Sequence, residues 1–100
     1  MKRWNGWGNA ETDYHLAESA RVYLEKVVGV PEQIPDADIK DVLNGIPETR
    51  LPARMGVHTD KMERLMHARG QSLPDWVALR SGRIGVYPDA VAFPESEKDL

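Results

Sequence analysis

One hundred residues with 41% apolar and 29% charged side chains describe a single small globular unit, since a chain of this size buries only about two-thirds of its unfolded surface. No cysteine is present, which excludes disulfides, thiolate nucleophiles and sulfur-ligated zinc, and no apolar run approaches the roughly 18 residues of a membrane span. The formal net charge is −3, and the basic start Met1-Lys2-Arg3-Trp4-Asn5 lacks the apolar stretch of a secretory signal, so a cytoplasmic location is the expectation.

The opening Trp4-Asn5-Gly6-Trp7-Gly8 reads as a compact turn carrying two large rings. The spacing predicts a first helix over Ala17 to Val28, with Leu16, Ala20, Tyr23, Leu24, Val27 and Val28 as its inner face and Gly29 as its stop. Pro31 and Pro35 mark a loop. A second short helix follows, capped by Asp36 or Asp38, with Ile39, Val42 and Leu43 facing inward and Gly45 and Pro47 ending it. Glu48 to Val57 shows no period and reads as extended loop. Thr59 is the expected N-cap of a third helix, with Asp60 in its first turn, Met62, Leu65 and Met66 on its apolar face, and Gly70 closing it. Ser72-Leu73-Pro74-Asp75 resembles a capping box for a fourth helix through Trp76, Val77, Leu79 and Arg80, ended by Gly82.

After Gly82 the chain changes character. Ile84, Val86, Val91, Ala92 and Phe93 are strand formers, and Pro88-Asp89 supplies a turn between two short extended runs. Ser96 and Asp99 repeat the capping signal over the last residues. A strand leading into a one-turn helix is the opening of a β-α unit, which needs a further strand and a sheet to pack on. The expectation is therefore a mainly α N-terminal segment of about four short helices over residues 1–83, followed at 84–100 by the first strand and helix start of a truncated α+β domain. A severed edge of this kind invites self-association.

Chemistry is sparse. His15, His58 and His67 are too far apart for any pair to share one helical turn, and no serine sits in a G-x-S-x-G elbow. Gly6 and Gly8 lack the preceding strand and third glycine of a dinucleotide turn. No catalytic, cofactor-binding or metal-ligating residue is expected. Charge is uneven: residues 8–49 hold nine acids and three bases, whereas residues 50–83 hold seven bases and three acids. That basic middle faces acidic parts of the same fold, a neighbouring domain, a nucleic acid or a phosphate; the overall pI near 5.5 argues against nucleic acid. Trp4, Trp7, Arg64, His67, Arg69 and Arg80 are the candidate domain-contact anchors. The arginines either steer an anion or pair locally with Asp60, Glu63 and Asp75.

Three stretches together carry a family resemblance. Lys2-Arg3-Trp4-Asn5-Gly6-Trp7-Gly8 resembles the K-W-N-G-W-G opening of alkyldihydroxyacetonephosphate synthases and their bacterial FAD-linked oxidase relatives. Thr59-Asp60 through Arg64, His67 through Leu73, and Leu79-Arg80-Ser81-Gly82 are similar to the helical region that follows there. Pro88 to Ser96 resembles the P-D-x-V-x-x-P strand that opens the flavin domain of the vanillyl-alcohol oxidase superfamily. The first match is fairly specific; the last marks only the fold. The resemblance implies an FAD-dependent oxidoreductase as parent, with its flavin diphosphate loop and catalytic residues beyond Leu100. It further implies that the FAD-binding domain of the same polypeptide is the partner, and that this segment alone binds no FAD and catalyses nothing. For the parent, oxidation of a small alcohol or 2-hydroxy acid is the expectation, with ether-lipid synthase chemistry as the alternative. A stand-alone helical interaction module is the competing class.

Overall fold

The computed structural model describes residues 1–100 as four helices and a two-stranded ribbon. In chain order these are α1 (Glu18–Val28), α2 (Ile39–Gly45), β1 (Val57–His58), α3 (Lys61–Met66), α4 (Leu73–Ser81) and β2 (Val91–Ala92), with a 3-10 turn at Glu97–Asp99. The chain is a small α+β segment. No helix is long and apolar enough to cross a membrane.

Local chemistry fixes most of the boundaries. At α4, Ser72 Oγ accepts the Asp75 N–H while Asp75 Oδ2 accepts the Ser72 N–H at 3.2 Å, so the two residues satisfy each other's orphan donors. Gly82 closes α4 in the left-handed region at φ 74°, and a Cβ there would lie 3.0 Å from the Ala37 methyl. Conformation and space both demand glycine. Asp38 caps α2 through a 2.7 Å bond from the Lys40 N–H. The cap of α3 differs from expectation: Asp60, not Thr59, is the extended residue whose carboxylate accepts the Glu63 N–H at 3.0 Å. A carboxylate in that place also meets the helix dipole favourably. The helix ends at Met66, short of Gly70.

The core lies where α2, α3 and α4 meet. Val42, Ile46, Leu65, Trp76, Leu79 and Ile84 form one buried cluster, and half-buried Trp4, Ile39, Leu43, Met62 and Tyr87 pack around it. Ile46, between Gly45 and Pro47, is 2% exposed and was not among the expected inner residues. Ile84 also enters the core, so the segment after Gly82 packs directly on the helices.

The strand expectation needs correction. Within the expected extended runs only Val91–Ala92 joins a ladder, and its partner is Val57–His58, which terminates the stretch read as loop. The pairing is antiparallel, Val57 opposite Ala92 and His58 opposite Val91. The ribbon therefore closes inside this chain. Two residues per strand are too few to show a period of two, which is why the partner left no local signal.

The first helix is the second correction. Its bounds match the expectation, but it has no buried residue. Leu16, Tyr23, Val27 and Val28 are exposed, and Leu24 is 44% exposed. The molecule is long as a result, 54 × 28 × 23 Å with a radius of gyration of 17.3 Å, against about 13 Å for a compact chain of this length. Arg21 pairs with both Glu18 and Glu25 along the helix surface, the main side-chain support α1 has of its own.

Candidate functional site

The amino-terminal turn folds back on itself before it meets the helices. Lys2 bridges Asn9, the Arg3 N–H donates to Gly8 O at 3.0 Å, and the Ala10 N–H donates to Met1 O at 2.9 Å. Gly8 turns the chain at φ 83°. The Arg3 guanidinium then gathers the carbonyls of Asn9 and Thr12 and approaches Asp13 at 3.5 Å. This pinned loop presents its two tryptophans differently. Trp4 leans into the core, whereas Trp7 is 63% exposed and stands edge-on to Trp76, ring centres 5.7 Å apart at 77°.

Around Trp7 lies a cleft of about 500 Å³ lined by Arg3, Tyr14, Leu73, Trp76, Val77 and Arg80 among others. Tyr14, Leu73 and Val77 are exposed, so with Trp7 they make an apolar surface with two guanidinium groups in its wall. Trp76 Nε1 is buried without an acceptor in the chain. Arg80 is fixed by a two-pronged contact with Asp36, at 2.9 and 2.7 Å. Those bonds hold the Asp36 carboxyl below its ordinary value against an opposing effect of burial.

The remaining anchors separate. Arg69 donates to Ile84 O at 2.9 Å and pairs with Asp75 at 3.3 Å, tying α4 to the chain that follows it. Asp75 is held below the ordinary carboxylate range chiefly by Ser72, with Arg69 adding to it. The His67 Nδ1–H donates to Glu63 O at 2.9 Å, and its ring stands edge-on to Phe93, as does that of His58 on the opposite strand. Of the arginines, local pairing with Asp60, Glu63 and Asp75 thus holds for Arg69 only, through Asp75. Arg80 reaches Asp36 outside that segment, and Asp60 is used as a cap. Arg64, 1% exposed, meets no carboxylate and donates from Nε to Pro88 O at 2.8 Å. The Arg50–Asp89 pair, with contacts of 2.9 and 2.6 Å, was missed because Asp89 reads as a turn residue beside Pro88.

No three His, Asp or Glu side chains converge as a metal set. The residues present also do not fit a flavin. The left-handed glycines Gly8, Gly29, Gly56, Gly82 and Gly85 lie on four connections, Gly82 and Gly85 sharing the one between α4 and β2, and none forms a strand-to-helix phosphate turn. No flavin contact is assigned to this chain.

Fold and surface thus define a small α+β segment with exposed apolar side chains around Trp7 and along α1. No protein-family model matches the sequence. Protein Rv2250A of Mycobacterium tuberculosis (strain ATCC 25618 / H37Rv) is 29% identical over 102 residues, covering 92% of this chain and 68% of that protein. The alkyldihydroxyacetonephosphate synthase of Caenorhabditis elegans is 23% identical over 130 residues, covering 98% of this chain and 21% of its own length. A solved alkyldihydroxyacetonephosphate synthase matches with a TM-score of 0.68 at 21% identity, over 97% of this chain and 24% of the synthase. The whole chain is therefore similar, weakly in sequence and strongly in fold, to alkyldihydroxyacetonephosphate synthase of the FAD-linked oxidase family. It spans about a quarter or less of the synthases' length.

Proposed function

We propose that this chain is a docking segment of a flavoenzyme related to alkyldihydroxyacetonephosphate synthase, covering an FAD-binding domain rather than contacting the flavin. The carrying observation is α1: eleven residues of amphipathic helix with no side chain buried. An isolated helix of that length is marginal in water, and its apolar face gains its stability only when something covers it. Trp7, with Arg80 beside it, supplies a second contact face on the body of the segment, and Trp4, Arg64, His67 and Arg69 tie that body together beneath it. In this reading residues 84–100 lead into the flavin domain, and the setting is cytoplasmic. Nothing among the relatives favours oxidation of a small alcohol or 2-hydroxy acid. The parent's reaction is accordingly taken as the ether-lipid synthase type, with FAD bound elsewhere.

The test is to express the complete reading frame that contains this chain, whatever its length, with and without Leu24→Asp plus Val28→Asp. The native product should carry FAD. The double variant should lose flavin retention or soluble yield, while the 100-residue chain bearing the same changes keeps its urea midpoint. A flavin-free native product, or a variant that retains flavin fully, contradicts the proposal.

A second reading has one observation in its favour. Rv2250A is matched over 68% of its length, so a chain of this kind occurs in a protein far shorter than the synthases. There the same surfaces would bind a separate polypeptide, as a stand-alone helical interaction module. The size of the gene product separates the two readings.

A further inference from the structure

Arg64 is the one buried charged side chain of this protein, and its chemistry is incomplete. Nε is satisfied by Pro88 O, but neither terminal nitrogen of the guanidinium has a hydrogen-bond acceptor in the chain. Trp76 Nε1 is the only fully buried side-chain polar atom without a partner, so the two terminal nitrogens of Arg64 keep contact with water and stay free to donate. The obvious counter-ion is already committed. Asp89 Oδ2 accepts Nε and Nη2 of Arg50, and its Oδ1 accepts the Arg50 N–H at 3.1 Å. Arg64 belongs to the wall of a cleft of about 290 Å³ that also contains Glu48, Arg50, Gly85, Tyr87 and Asp89. Glu48 is turned to solvent near Lys61, at 3.6 Å. Arg50, Arg64 and the neighbouring Lys61 against Asp89 and Glu48 leave the cleft and its rim one positive charge in excess. A planar fork with two free donor nitrogens matches the two oxygens of a carboxylate.

We propose that this cleft is a carboxylate site, with the Arg64 fork as its receptor and the Arg50–Asp89 pair setting its charge to accept one negative unit. The site is independent of the flavoenzyme reading and lies apart from the tryptophan surface. The carboxylate is either a free organic acid or an acidic side chain of a covering polypeptide, and one experiment tells these apart.

Acetate and, separately, sulfate are titrated at constant ionic strength into the 15N-labelled 100-residue chain, with amide shifts followed by NMR. Saturable acetate shifts are expected at Arg50, Gly85, Val86 and Asp89, with sulfate at least tenfold weaker. Asp89→Asn, which raises the excess charge to two, should tighten acetate at least tenfold and admit sulfate. Arg64→Lys should abolish saturation; if that variant fails to fold, the Asp89→Asn result still decides. The same titration on the full gene product identifies the source. Shifts that persist indicate a free acid, and shifts lost there indicate a side chain of the covering polypeptide. Non-saturating shifts spread over exposed basic residues (an adventitious ion only), equal affinity for sulfate, or indifference to Asp89→Asn would each overturn the proposal.

Discussion

Replacing Leu65 by Ala removes the most deeply buried aliphatic side chain, 1% exposed, from a cluster of only six residues. Substitutions of this type cost about 2–5 kcal/mol, and the middle of that range, about 3 kcal/mol, applies where rigid neighbours such as Trp76 prevent the site from collapsing. A chain of this size holds about 5 kcal/mol at the low end of the usual range, and its elongated shape with few buried residues places it there. With a urea dependence of about 1 kcal/mol per molar, the midpoint should fall by about 3 M. Leu24→Ala is the matched control, the same chemical change on a helix that touches no core, and should move the midpoint by less than about 0.5 M. Urea unfolding of the 100-residue chain followed by tryptophan fluorescence reads both, since Trp76 reports the core directly. A Leu65→Ala shift below about 1 M, or a Leu24→Ala shift of similar size, would refute the placement of the core and the isolation of α1.

Other outcomes follow from the caps and the carboxylates. Gly82→Ala forces a side chain into the left-handed region and against Ala37, and should cost at least about 1–2 kcal/mol in urea unfolding, whereas Gly8→Ala, with open space around it, bears only the backbone part. Ser72→Ala removes half of the α4 capping box and should cost about 1 kcal/mol, seen as a lower urea midpoint and faster amide exchange over Leu73–Asp75. Asp36, Asp75 and Asp89 all have folded-state values depressed below the ordinary 3.8. A depressed carboxyl contributes stability that is complete above its unfolded value and is lost as pH falls through the folded one. The urea midpoint should therefore be flat above about pH 5 and drop below about pH 4, with Asp36→Asn reducing the slope.

Much of the architecture was legible because it rests on local chemistry. Asp38, Ser72 with Asp75, Gly45 and Gly82 mark helix ends through bonds made within a turn, and the sequence displays such bonds directly. Thr59 and Asp60 are adjacent cap-competent residues, and only the geometry of the chain entering α3 chooses between them. What failed was anything set at long range. The periodicity of α1 is genuine, but a stripe of apolar residues reports a face to be covered, not whether this chain covers it. The Val57–Ala92 pairing joins segments far apart in sequence through strands too short to show alternation. Arg64 reads as a domain-contact anchor or a partner for a nearby carboxylate, whereas its burial and the neutral Pro88 carbonyl at its head both come from tertiary packing. Ile46 reads as a loop residue between a glycine and a proline, yet the turn after α2 drives it into the core.

The docking role of α1 is tested most directly by hydrogen exchange at its amides, measured in the 100-residue chain and in the full gene product. Exchange from Tyr23 to Val28 should be near that of a frayed helix in the chain alone and strongly slowed in the full product. Equal, rapid exchange in both would leave α1 uncovered in the intact protein and contradict the account.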